Sequence, residues 1–241
     1  MNAVEALGLR PASDGSLELV LAGQAARLLS SGALLLQGHS ALVVADLHLE
    51  KGSAFAGRGQ LLPPLDTRET LRRLAADTAA VAPERILFLG DAFHDREASR
   101  RMSEEDRQVL YDLGGAAGLV WITGNHDPEP DDDLPGEAAA EVRLGGLILR
   151  HEPLPAPAPG EIAGHLHPCA RIATPRGAVR RRCLVTDGER AILPAYGAFT
   201  GGLNVLDPAF AGLFARPPVV AALGDRRVHA AGARSLRPDR S

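Results

Sequence analysis

Five short clusters of metal-ligand residue types, in a fixed order through a 241-residue chain, constrain this sequence more than any other feature. They are Asp46-Leu47-His48, Gly90-Asp91, Gly124-Asn125-His126-Asp127, Arg150-His151-Glu152 and Gly164-His165-Leu166-His167. A site for two metal ions must give each cation several O or N ligands, and it usually needs one carboxylate able to reach both. Asp91 is the natural bridge. Asp-x-His and His-x-His put two donors two residues apart, so on a strand end both side chains leave one face of the sheet and converge on one cavity. A single His in isolation is more often a satisfied structural residue. Here five of eight histidines fall in the clusters, leaving His39, His94 and His229 outside.

The intervals between clusters hold secondary structure. Ala33 to Leu36 and Ala41 to Ala45 are apolar runs separated by Gln37-Gly38-His39-Ser40, a hairpin whose second strand delivers Asp46. Asp66-Thr67 can cap a helix running to about Ala80, with Leu71, Leu74 and Ala75 at helical spacing. Arg85 to Leu89 reads as a buried strand ending at Gly90-Asp91. Ser103 opens a second helix by the Ser-x-x-Asp pattern with Asp106, stopping near Gly114-Gly115. Leu119 to Ile122 then feeds Gly124 to Asp127, so three strand-then-loop units deliver ligands from carboxyl ends, the alternation of an α/β fold.

From Glu141 the pattern changes to short strands at Val142 to Leu144, Leu147 to Arg150, Glu161 to Ala163, Ala170 to Ile172, Val179 to Val185 and Ala191 to Leu193. These are expected to form a second, mainly antiparallel sheet. The Pro-rich linkers are Glu129 to Gly136 and Pro153 to Gly160, and Asp131-Asp132-Asp133 in the first reads as a solvated acidic loop rather than a third metal site. Residues 1–29 are taken as an N-terminal segment, 30–230 as the domain, and 231–241, which lack apolar periodicity, as a disordered tail.

Hydrophobic content of 45% with 23% charged residues is that of a soluble globular chain. No apolar run approaches the roughly 18 residues needed to cross a bilayer. Met1 to Pro11 carries Glu5 and Arg10 and lacks a signal-peptide core, so a cytoplasmic location without membrane contact is expected. In that reducing compartment Cys169 and Cys183 are expected as free thiols, Cys169 being a small buried residue rather than a ligand. A formal net charge of -4 gives no global attraction to nucleic acid, so any polyanion contact must be local. Lys51 is the one lysine among 26 basic residues; the arginine skew supplies planar, bidentate phosphate donors, though such a skew more often reflects coding bias.

The ordered clusters, from about residue 41 to 168, resemble those of the calcineurin-like metallophosphoesterase superfamily. The resemblance implies an α/β fold of two packed mixed β-sheets flanked by helices, four layers α/β/β/α in a single domain. It also implies two divalent metal ions, most often Mn2+, with Fe, Zn, Co or Ni as alternatives; imidazoles and carboxylates without thiolates suit this group better than Ca. By resemblance Asp46, His48 and His167 hold one ion, Asn125, His151 and His165 the other, and Asp91 bridges them. His126 would contact the scissile phosphate and protonate the leaving oxygen, and the nucleophile would be a hydroxide activated by both metals.

Gly90-Asp91-Ala92-Phe93-His94 is similar to the nuclease branch of the superfamily, which would put the His94 imidazole near substrate; the plain alternative is an exposed loop histidine. Val43 to Gly52 and Leu193 to Asn204 extend the likeness, over about residues 30 to 206, to the bacterial ligase-associated DNA damage response endonucleases. Glu50 departs from that pattern, which favours Gly there. The Gly-rich segment Tyr196 to Gly202 either offers backbone N–H groups to phosphate or makes a tight turn beside the metal loops. The implied function is a phosphodiesterase cutting DNA as an endonuclease, with a DNA ligase and a helicase as pathway partners. The same core would serve a small-molecule phosphodiesterase, and a non-catalytic scaffold is disfavoured by the complete ligand set.

Overall fold

The computed structural model describes residues 4, 7–56, 65–126 and 133–239. Strands β1 (Arg10–Pro11), β2 (Leu17–Leu21), β3 (Gln24–Leu28), β4 (Leu34–Leu36), β5 (Ala41–Val44), β6 (Arg85–Leu89), β7 (Gly118–Ile122) and β8 (Glu137–Ala139) pair in sequence order as one eight-stranded sheet. It is antiparallel from β1 to β5 and parallel from β5 to β8. The β4–β5 hairpin has the expected turn over residues 37–40. Strands within residues 10–28 build part of this sheet. In β2 only Leu17, Leu19 and Leu21 are buried, so this strand alternates, whereas β5 is buried throughout because both of its faces are covered.

Helices α1 (Lys51–Ala56), α2 (Asp66–Val81), α3 (Ala98–Arg101) and α4 (Glu104–Ala116) lie in the crossovers of the parallel half. Leu71 and Leu74 of α2 and Leu110 and Leu113 of α4 pack with Ile86, Phe88 and Leu119 on the outer face of the sheet. The Ser103 hydroxyl accepts the backbone N–H of Asp106, the expected cap. In α2 the cap position is Leu65, which makes no side-chain cap; the Asp66 carboxylate instead accepts the N–H of Gly52.

The second sheet runs β16 (Val228–Ala231), β15 (Val219–Leu223), β13 (Gly177–Thr186), β14 (Ala191–Ile192), β11 (Glu161–Ala163), β10 (Leu147–Arg150) and β9 (Val142–Leu144). It is mixed, since β10–β11 and β11–β14 are parallel. Off one end of β13, β12 (Cys169–Thr174) and β17 (Leu236–Arg237) extend it as a small antiparallel group. Leu236–Arg237 pairs with β12 through a contact too short to give a periodic sequence signal.

Between the sheets lies one core, with Leu19, Leu34, Val43 and Leu87 from the first and Leu149, Ile162, Leu184 and Ala221 from the second. The outer face of the second sheet, with Cys183, Val185 and Val220, is covered by Phe210 and Leu213. Among the described residues this fourth layer is segment 204–216 with one 3-10 turn, Pro208–Phe210, not an α-helix. The fully buried Arg190 secures it, donating to the carbonyls of Leu154, Ala156 and Leu213 and pairing with Glu161.

Candidate metal centre

The carboxyl ends of β5, β6, β7, β10 and β11 open on one edge of the two-sheet stack, and each carries one of the five clusters. The loops are tied to one another: Asp46 N–H donates to the Gly90 carbonyl, His48 N–H to that of Asp91, and Gly164 N–H to that of His151. Asp46, His48, Glu50, Asp91, His165 and His167 all have positive φ, six of the nine non-glycine residues that do among the described residues. Each such residue costs roughly 1–3 kcal/mol and persists only where its surroundings over-determine it. The strain concentrates where five loops must aim side chains at one point.

Two donor groups result, Asp46–His48–His167 and Asp91–His151–His165, the donor atoms of each lying within 4.8 Å of one another. In the first, His48 Nε2 stands 3.2 Å from His167 Nε2, which is 3.3 Å from Asp46 Oδ1. In the second, His151 Nε2 is 3.2 Å from His165 Nδ1, 2.9 Å from Asn125 Oδ1 and 3.4 Å from Asp91 Oδ2. Asp91 Oδ2 is also 3.9 Å from His48 Nε2, so this carboxylate stands between the groups.

The donor set fits divalent cations. Ligand nitrogens about 2.0–2.1 Å from one ion sit about 3 Å apart, which is how the imidazole pairs are spaced. The His151 Nδ1–H donates to the Leu89 carbonyl at 2.9 Å, leaving Nε2 as the inward atom, the tautomer a metal-binding imidazole needs. Burial presses the His48 imidazole down to about 3, with the positive charge of His167 adding to the effect. For Asp91 burial acts upward, but His151 and the His126 N–H outweigh it and the carboxyl is lowered to about 2. For His151 burial acts downward, and the Asp91 hydrogen bond with the charges of Asp46 and Asp91 raises it to about 9. Gly90 has φ +69, and a Cβ there would lie 2.5 Å from the His151 ring. Gly90→Ala is therefore expected to weaken one of two metal sites by about tenfold or more in a calorimetric titration, the scale of losing ligand orientation.

His126 stands beside both groups without joining either. Its N–H donates to Asp91 Oδ1 at 2.9 Å, and Nδ1 is 3.1 Å from the His94 carbonyl. A carbonyl only accepts, so Nδ1 carries a proton, and Nε2 stands 3.9 Å from Asp91 Oδ2. The His94 ring stacks on that of His126 at 5.9 Å between centroids and on Phe55 at the same separation, which places His94 at the rim. A cleft of about 450 Å³, lined by residues that include Asn125, Glu141, Arg150 and His151, opens beside the second group.

No protein-family model and no curated protein matches the chain. Among solved structures it is similar to the nuclease MPE of Pseudomonas putida, with 28% identity, a TM-score of 0.69, and coverage of 90% of this chain and 100% of that one. The chain shares the fold of that nuclease. A phosphoesterase of E. coli, Yfce, is more distant at 17% identity and a TM-score of 0.41, covering 80% of this chain and 98% of its own. No helix among the described residues is long and apolar enough to cross a membrane.

Other sequence readings are placed as well. Cys169 and Cys183 are free and buried, outside both donor groups. Glu50, at a left-handed position that suits Gly, binds Thr67 through both its N–H and its carboxylate and anchors α1 rather than a metal. The Tyr196–Gly202 segment is a tight turn: a Cβ at Gly197 would lie 2.1 Å from the Leu47 carbonyl oxygen, and one at Gly202 as close to that of His167. Asp127 and residues 131–132 of the acidic run lie outside the described residues. Sequence reasoning missed Phe199, exposed at the tip of that turn, and the Lys51 ammonium held 3.1 Å from its carbonyl. An aromatic in a Gly-rich loop after the last core strand was the available signal.

Proposed function

We propose that this chain is a manganese-dependent phosphodiesterase that cuts DNA internally, as an endonuclease of the bacterial DNA damage response. The observation that carries the reading is the pair of donor groups with Asp91 between them and the His126 ring alongside. Asp46, His48 and His167 would hold one divalent ion, Asn125, His151 and His165 the other, and Asp91 both. When bound, such ions neutralise phosphodiester charge and lower the pKa of water, so hydrolysis needs no nucleophile from the protein.

The chain's own contribution is placement. As the imidazolium, with a proton on each ring nitrogen, His126 donates Nδ1–H to the His94 carbonyl, which orients the ring, and gives its Nε2 proton to the leaving oxygen. His94 itself presents an imidazole to the longer substrate. The likeness to a nuclease at 28% identity supports a nucleic acid over a small diester as substrate. A cytoplasmic setting and a pathway shared with a DNA ligase and a helicase follow from the resemblance of the flanking segments and belong to the same proposal.

The test is purified protein with Mn2+ on closed circular single-stranded DNA, plasmid duplex and bis-p-nitrophenyl phosphate. Linearised or nicked circles are expected. Hydrolysis of the small diester with intact circles would replace the endonuclease by a small-molecule phosphodiesterase.

A further inference from the structure

In the β12–β13–β17 group, Arg180, Arg171 and Arg237 are directly opposite one another in register. Opposite residues in an antiparallel ladder share a face with Cα atoms about 4.5–5.5 Å apart, and like charges so placed destabilise a sheet. Among the described residues one carboxylate lies within ion-pair distance of this row: Asp239, whose oxygens are both 3.3 Å from Arg180 Nε. Asn204 Nδ2 donates to the same carboxylate at 3.1 Å, and Arg171 holds the adjacent Pro238 carbonyl at 2.9 Å. Arg180 and the Asn204 amide thus hold one exposed anion, with Arg171 on the adjacent carbonyl, while the Arg237 guanidinium turns back to the carbonyls of Arg234 and Leu236.

This cradle adjoins the metal centre. Arg180 donates to the Gly202 carbonyl at 2.7 Å, and Gly202 packs on the backbone of His167. Arg171 is four residues along the chain from His167, a Cα separation of at most about 13 Å. That distance is no more than about four nucleotides at 3.4 Å per phosphate. The loop that ends at Gly202 carries Phe199, 47% exposed, with the Lys51 ammonium on its carbonyl. Cationic groups that track a backbone, with an aromatic on which a base can stack, are the parts of a single-strand binding surface.

We propose that Arg171, Arg180 and Asn204 form a phosphate subsite for a DNA strand running past Phe199 into the metal centre, and that Asp239 occupies this subsite in the free protein. The proposal rests on the DNA reading above and adds where the strand is held. The Asp239 carboxylate mimics a phosphate oxygen pair, so binding the strand requires displacing the residues that follow β17, and the chain competes with its own substrate.

The test compares wild type, the double variant Arg171→Gln/Arg180→Gln, and Asp239→Asn. Anisotropy of a labelled oligothymidylate is followed against salt with the Ca2+-loaded protein, and kcat/KM is measured with Mn2+ on the same strand and on bis-p-nitrophenyl phosphate. The double variant is expected to bind about tenfold more weakly at low salt. Its log K against log salt slope should flatten by about 1.4, that is about 0.7 for each phosphate no longer neutralised by an arginine. Its ratio of DNA to small-diester kcat/KM should fall in step. Asp239→Asn is expected to bind the strand about threefold or more tightly, because the competing charge is gone.

Wild-type binding by both variants overturns the subsite while leaving the DNA reading intact. Equal losses on both substrates overturn it too, since the arginines would then act through Gly202 on the metal loops. A wild-type protein that neither binds nor cuts the strand overturns subsite and DNA reading together.

Discussion

Asp91→Ala is expected to bring metal-dependent phosphodiester hydrolysis down to background. The side chain does three things at once: Oδ2 lies 3.4 Å from His151 Nε2 and 3.9 Å from His48 Nε2, and Oδ1 accepts the His126 N–H. Alanine removes the one carboxylate able to serve both ions, leaves their mutual repulsion unscreened, and releases the backbone that carries His126. Metal content by elemental analysis should fall from two ions per chain to one or none. Asp91→Asn separates the effects, because the amide oxygen can still accept from His126 but contributes no charge; it should keep the fold of the loop and lose the metals. Retained wild-type turnover in the alanine variant would sink the dinuclear reading.

The ligand clusters were legible in the sequence because each begins within two residues of the end of a strand, and parallel strands leave little freedom in where those ends go. Once β5, β6 and β7 are read as strands followed by Asp46, Asp91 and Asn125, convergence on one edge follows from the α/β pattern. The second half was legible for a different reason. The strand ends of β10 and β11 are parallel neighbours, so His151 and His165 come together, although the spacing of the short strands suggests a mainly antiparallel sheet.

What escaped had no local signal. β2 and β3 alternate with the half-burial of a hairpin near the sheet edge, but Ala25, Ala26 and Arg27 in β3 make a weak pattern, and the pairing with β4 that completes the sheet is tertiary. β17 is a two-residue strand held by register with β12, invisible to any periodicity. Arg190 is fully buried against propensity because three carbonyls and the Glu161 carboxylate meet it there, and no composition rule anticipates a buried guanidinium. The arginine skew, which composition alone ascribes to coding bias, gains positional content only when three strands place Arg171, Arg180 and Arg237 in one row.

His126→Ala is expected to lower turnover on DNA by about 100-fold or more, the scale of losing a general acid, while two metal ions remain bound. The substitution isolates the imidazole: the backbone N–H that binds Asp91 Oδ1 survives in alanine, and the ring belongs to neither donor group. The defect should depend on the leaving group. A DNA alkoxide needs the proton that Nε2 delivers, whereas p-nitrophenolate departs as a stable anion, so hydrolysis of bis-p-nitrophenyl phosphate should suffer much less. Comparing kcat for variant and wild type on both substrates at saturating Mn2+ decides the role. Equal losses would mean that His126, held through Nδ1 by the His94 carbonyl, positions the phosphate rather than protonating the departing oxygen.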